Sequence, residues 1–166
     1  MGVPLPTVPG ILEHFAAGGG APVKTRVLKA IRETVEATLG DGAVAEKPQR
    51  DPDLGTCTFP MAVIFDGPVV VVWKNRVAMC RMPVDIQLWF KDGEFAIGEQ
   101  ADWVEALLHE RFVKNNEAFK EVGLTLLPAE EASGPKFYWD DEHGGTTLHY
   151  DAQFAHLWGD PYTTGK

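Results

Sequence analysis

The chain has 166 residues, 45% of them apolar and 23% charged, with a formal net charge of −9 from 24 acidic and 15 basic side chains. That length suits one domain built around one core. The acidic balance argues against a surface that grips nucleic acid through its phosphates, and no window approaches the ~18 consecutive apolar residues of a membrane helix.

Met1-Gly2-Val3-Pro4-Leu5-Pro6 lacks a basic segment followed by an apolar one. No secretory signal is expected, and the protein is expected to stay where it is made. Residues 1–22, with Pro4, Pro6, Pro9 and the run Gly18-Gly19-Gly20, read as a flexible N-terminal arm in which Ile11, Leu12 and Phe15 offer apolar contacts to a partner. From Val23 to Leu39, Val27, Leu28, Ile31, Val35 and Leu39 recur at intervals of three and four, which predicts an amphipathic helix ended by Gly40-Asp41-Gly42. Residues 43–58, with Pro48 and Pro52, read as a charged loop with little apolar material.

Strands are predicted over 59–65, 69–73 and 77–91. The third alternates clearly, with Val84, Ile86, Leu88 and Phe90 on one face and Asp85, Gln87 and Trp89 on the other. Pro83, which has no N–H to donate, predicts a bulge or the end of pairing. A second helix is predicted over 100–122, with Trp103, Val104, Leu107, Leu108, Phe112 and Phe119 on its apolar stripe and Gly123 closing it. Strands over 124–127 and 136–139 flank a loop at 128–135; a turn at 140–145 then leads into a long final strand over 148–158. The result is an α+β fold: one mixed, mostly antiparallel sheet with two main helices packed on one side. Residues 23–158 form the domain, and 159–166 a C-terminal tail.

The densest polar group, Asp140, Asp141, Glu142, His143, His149 and Asp151, has the donor types a metal ion takes, but it lacks a metal motif and equally suits a solvated turn. His149 and Asp151, two apart on a predicted strand, share a face, so a carboxylate there can orient an imidazole. Ser133, the only serine, lies in an Ala-Ser-Gly-Pro stretch without the context of a nucleophile. No catalytic residue, metal ligand or cofactor site is therefore assigned. Cys57 and Cys80 read as reduced residues in apolar surroundings. Of Trp73, Trp89, Trp103, Trp139 and Trp158, most are expected in the core and one or two at an interface. Aromatic residues on both faces of long strands, such as Trp89 with Phe90 and Leu157 with Trp158, favour an oligomer.

The layout over residues 23–158 resembles the tail terminator, or tail completion, proteins of tailed bacteriophages, the family of minor tail protein U of lambdoid phages. The resemblance lies in an N-terminal helix and a long strand running from Met82 to Asp92. A helix follows from near Ala101-Asp102-Trp103, and a closing hairpin runs from Trp139-Asp140-Asp141-Glu142-His143-Gly144-Gly145 into Leu148-His149-Tyr150-Asp151-Ala152-Gln153-Phe154. It implies a virion structural protein, present in the host cytoplasm during assembly, and not an enzyme. Such a protein forms a homo-oligomeric ring, typically a hexamer, that caps the tail tube protein and docks the head-neck connector or head-closure protein. DNA passes through the lumen without specific binding, and acidic residues of the 43–58 loop (Glu46, Asp51, Asp53) or the 140–142 turn would line it. Two rival readings are a small metal- or ligand-binding enzyme using His149, Asp151 and His143, and an immunity or inhibitor protein that binds a basic partner.

Overall fold

The computed structural model describes residues 20–46, 52–114 and 116–165. In chain order the elements are α1 (Val23–Leu39), β1 (Met61–Asp66), β2 (Val70–Lys74), β3 (Val77–Lys91), α2 (Ile97–Val113), α3 (Glu117–Val122), β4 (Thr125–Ser133), β5 (Phe137–Tyr138), β6 (His143–Leu157) and β7 (Asp160–Thr164). This is an α+β fold with one seven-stranded sheet whose ladders are antiparallel. Its spine is the 15-residue pair β3 and β6, in unbroken register from Val77 opposite Leu157 to Lys91 opposite His143. β1 and β2 lie end to end along one side of the spine, and β4, β5 and β7 along the other.

Successive strand residues point to opposite faces, so the spine has two unlike surfaces. Its even-numbered face, from Ala78 to Phe90 and from Leu148 to Phe154, packs against Val23, Val27, Ile31 and Val35 of α1 and Ile97, Ala101, Leu108 and Phe112 of α2 in the main core. The helices therefore share one face. On the odd-numbered face Trp89, Met61 and Val63 form a second buried cluster with Leu54, Cys57, Phe59, Phe65 and Phe137. The 43–58 segment is thus not the apolar-poor loop its charges suggest: Leu54 and Cys57 help cover Trp89. Residues 43–45 also bond to Ala62 of β1.

Pro83 does not interrupt the spine. Residues 77, 79 and 81 turn their backbone groups toward β2, and residue 83 falls in the same series. The Pro83 carbonyl accepts from Gly67 N on that side at 2.9 Å. The missing N–H therefore falls in the gap between β1 and β2, where no ladder needs it, and pairing ends there rather than along β6. A Cβ on Gly67 would stand 2.5 Å from Pro83 Cγ, so the link between the two strands crosses Pro83 only as glycine.

Three further expectations change. The helix expected over 100–122 is two helices. Lys114 leaves helical geometry, and Asn116 caps α3 by accepting from Phe119 N at 3.0 Å while donating to Thr34 of α1 at the same distance. The break brings the Phe112 and Phe119 rings to a stacked 5.8 Å. The stretch expected as a loop at 128–135 continues β4 to Ser133, with irregular pairing after Pro128. The expected tail folds back as β7, with Gly159 in left-handed geometry (φ 68°) and Arg26 of α1 donating to the Tyr162 carbonyl. The domain thus runs beyond residue 158. The expected arm lies outside the described residues except for residues 20–22.

Candidate functional site

The six polar residues that sequence groups together separate into two sets. His143 and His149 are both on β6, six residues and therefore about 20 Å apart along the strand. Asp140 organises the turn before β6: its Oδ1 accepts from Glu142 N (2.8 Å) and His143 N (2.7 Å), and both carboxylate oxygens lie 2.9 Å from His143 Nδ1. The His143 bond first, and the backbone donors after it, hold the Asp140 carboxyl below the ordinary carboxylate range. The His143 ring lies 5.1 Å from Phe59. Local backbone geometry accounts for this cluster. Gly144 and Gly145, which sequence assigns to the turn, are already in β6, where a Cβ on Gly145 would meet Leu88 O at 1.7 Å.

His149 and Asp151 do share a face, but they do not pair with each other. His149 Nδ1 lies 2.6 Å from Asp85 Oδ1 directly across the ladder, and Asp151 accepts from Arg81 at 2.5 Å diagonally. Cross-strand polar pairing is thus present with different partners from those adjacent in sequence. A shallow trough of about 410 Å3, lined by Phe65, Asp85, Gln87, Thr147 and His149, opens beside it. Among the described residues no three His, Cys, Asp or Glu side chains come together to hold a metal ion. Ser133 ends β4 opposite Leu148, and no histidine among the described residues bonds to it.

Two arrangements were not visible in the sequence. Glu105 and His109, one turn apart on α2, lie 3.4 Å apart, and His109 Nδ1 meets Tyr150 OH at 2.7 Å. Carboxylate, imidazole and phenol in line resemble an acid–base relay. Yet Tyr150 is 1% exposed, and burial first, then Glu105, pushes its phenol well above its ordinary value. It cannot reach a substrate and instead ties α2 to β6. The i, i+4 spacing of Glu105 and His109 was legible; the tyrosine on the facing strand was not. The second is a hollow of about 640 Å3 beside Cys57, Lys91, Gln100, Glu142 and His143. Here burial, and then Asp53, raises the Cys57 thiol, whose Sγ donates to Asp53 O at 3.0 Å. A nucleophilic cysteine requires the opposite shift.

What the surface does present is apolar. Only Trp89 of the five tryptophans is buried; Trp73, Trp103, Trp139 and Trp158 are exposed, reversing the expected proportion. Trp103 and Leu107 fall off the buried α2 stripe because its core positions are 97, 101, 104, 108 and 112, roughly 100° away around the helix. They form, with Phe95 at 5.5 Å from Trp103, one exposed patch. At the far end of the sheet β2, with sequence Val-Val-Val-Trp-Lys, is exposed at every position. Trp73 packs on Trp158 with ring centroids 4.1 Å apart and Leu157 lies near them, while Met79, opposite Val72, is exposed on the other face of the sheet. No helix among the described residues is long and apolar enough to cross a membrane.

The sequence matches no protein-family model, and no match is found among curated proteins.

Proposed function

We propose that this chain is a structural assembly protein, a tail terminator that closes into a ring, caps a tail tube and joins it to the head-neck connector or head-closure protein. The observation that carries the reading is the division of the exposed apolar side chains into unlike patches. Phe95, Trp103 and Leu107 lie on the helical side, and Val70 to Trp73 with Met79, Leu157 and Trp158 at the far end of the sheet. Unlike patches associate head to tail, and a head-to-tail contact whose rotation closes makes a ring, here of about six copies. Four exposed tryptophans go far beyond the scattered apolar residues of an ordinary monomer surface. The charge of −9 suits a lumen through which DNA slides without sticking. Of the acidic residues considered for that lining, Asp51 lies outside the described residues. Asp53 and Asp140 accept bonds within their own turns and Glu142 pairs with Lys91 at 3.9 Å, which leaves Glu46 and Asp141 as the freer candidates. In this reading the protein has no catalytic role, and it belongs to the virion after assembly in the host cytoplasm.

The test is electron microscopy and native mass measurement of the full chain, alone and with tail tubes. A ring at the tube end is expected, with Trp103→Ala disrupting it while leaving the melting temperature within about 2 °C. Absence of a ring in assembled particles overturns the reading. Stoichiometric metal in the purified protein would support the enzyme reading, and capture of a basic toxin the inhibitor reading.

A further inference from the structure

Among the described residues five strands, β1, β2, β4, β5 and β7, lie along the open sides of the sheet, and four of them are guarded or, like the two-residue β5, too short to extend. At β1 the open-side groups of Ala62 are taken by Ala43 O (2.8 Å) and Ala45 N (2.9 Å). On β4, Thr125 and Leu127 turn toward β6, so Pro128 falls on the open side, with no donor, next to exposed Glu130 and Glu131. β7 carries Asp160 and Pro161. Proline and charge are the usual means of keeping an edge from pairing. β2 has neither until Lys74 at its end.

The backbone of β2 can be assigned group by group. Asn75 and Arg76 both have positive φ (49° and 66°), the two-residue turn of a tight hairpin, so Lys74 and Val77 form the bonded pair that closes it. Counting back, Val72 and Val70 also turn toward β3. Val71 and Trp73 turn their N–H and C=O groups outward. The same count puts the carbonyl of Pro83 on the β1/β2 side, where it accepts from Gly67.

We propose that β2 pairs with β2 of a second copy, antiparallel, about a two-fold axis through Val72. In that register Val71 faces the second copy's Trp73 and Trp73 its Val71, so all outward N–H and C=O groups of both strands are matched by four hydrogen bonds. On one face Val72 meets its counterpart and Val70 faces the second copy's Lys74. On the other, each Trp73, already backed by Trp158, covers the opposing Val71. The two Lys74 side chains sit four residues from one another along the strands, about 13 Å. That exceeds the ~8 Å screening length at physiological salt, so their repulsion does not oppose the pairing. With its other edges guarded, the chain's own best complement to this strand is the strand itself. Five residues a side are less than the ~800 Å2 per partner of a permanent interface, so the pair dissociates on dilution. This contact goes beyond the ring reading: it is two-fold and uses the strand that the ring reading places in a head-to-tail contact, so it joins free subunits and is given up as the ring closes.

The test uses the full chain. A non-hydrogen-bonded antiparallel pair sets Cα atoms about 4.5 Å apart, within disulfide reach. Val72→Cys should therefore give a disulfide-linked dimer on mild oxidation. Val70→Cys, whose counterpart lies about 13 Å away, should not, nor should the wild type with Cys57 and Cys80 alone. Sedimentation should show a doubling of mass with concentration, lost in Val71→Pro. That variant keeps its β2–β3 ladder because the removed N–H faces away from β3, and circular dichroism checks that it remains folded. Equal crosslinking of Val70→Cys and Val72→Cys overturns the proposal, as does wild-type mass that never rises with concentration. Capture of Val72→Cys by a different protein in assembled particles overturns it in favour of a foreign strand. A ring that forms normally in Val71→Pro leaves the tail-terminator reading standing, whichever way the crosslinks fall.

Discussion

Replacing Trp89 by alanine tests whether the second cluster clamps the sheet or only decorates it. The side chain is 1% exposed, donates from Nε1 to Gln87 at 3.0 Å and meets the Phe137 and Trp139 rings at 5.0 and 5.9 Å. A tryptophan buries up to ~250 Å2, which at ~25 cal/mol per Å2 sets an upper bound near 6 kcal/mol. Measured core truncations of this kind cost about 3–5 kcal/mol. For a chain of this size each kcal/mol lowers the melting temperature by ~2–4 °C, so a fall of about 6–20 °C is expected. The assay is thermal and urea unfolding of Trp89→Ala beside Trp103→Ala, whose side chain is 69% exposed and whose loss should change stability by no more than ~0.5 kcal/mol. Leu54, Cys57 and Phe59 rest on Trp89. Proteolysis near residues 52–60 should therefore accelerate before global unfolding begins. A Trp89→Ala protein that melts within about 2 °C of wild type would refute the argument that this cluster holds the odd-numbered face.

Two further predictions concern titrating groups. The Cys57 thiol, raised by burial and by Asp53, should react with iodoacetamide at neutral pH more slowly than a free thiol in the unfolded chain, as mass spectrometry reads; equal rates would contradict the assignment. Asp140 has its folded value depressed, so its contribution is present above the ordinary carboxylate range and is lost as pH falls through the folded value. Amide protection at Glu142 and His143 should therefore persist through mildly acid pH and be lost only once pH falls below the ordinary carboxylate range. Asp140→Ala should abolish it at neutral pH, whereas a turn protected equally with and without that carboxylate would show the bonds to be incidental.

Periodicity made much of the fold legible. The intervals of three and four in α1 and the alternation of Val84, Ile86, Leu88 and Phe90 correspond to faces that are now buried, because amphipathic spacing records which side met the core. Less legible were features set by contacts distant in sequence. The α2–α3 break depends on Asn116 reaching Thr34, and Gly144-Gly145 looks like a turn until Leu88 and Phe137 are seen crowding it. Trp103 joins the apolar stripe on paper because 103, 104, 107 and 108 are near neighbours around a helix. The tertiary packing chose 104 and 108.

The candidate site divides in the same way. By itself the sequence determined that polar residues would cluster at the turn before β6 and that His149 and Asp151 would share a face, since both follow from strand alternation and turn chemistry. Only the tertiary structure decided their partners: His149 meets Asp85 and Asp151 meets Arg81 because the β3–β6 register places them there. It likewise decided which edge of the sheet remains open. Val-Val-Val-Trp reads from sequence as an ordinary apolar strand. Its exposure results from lying outermost beside β3, where neither helix, loop nor further strand among the described residues pairs with its outer side.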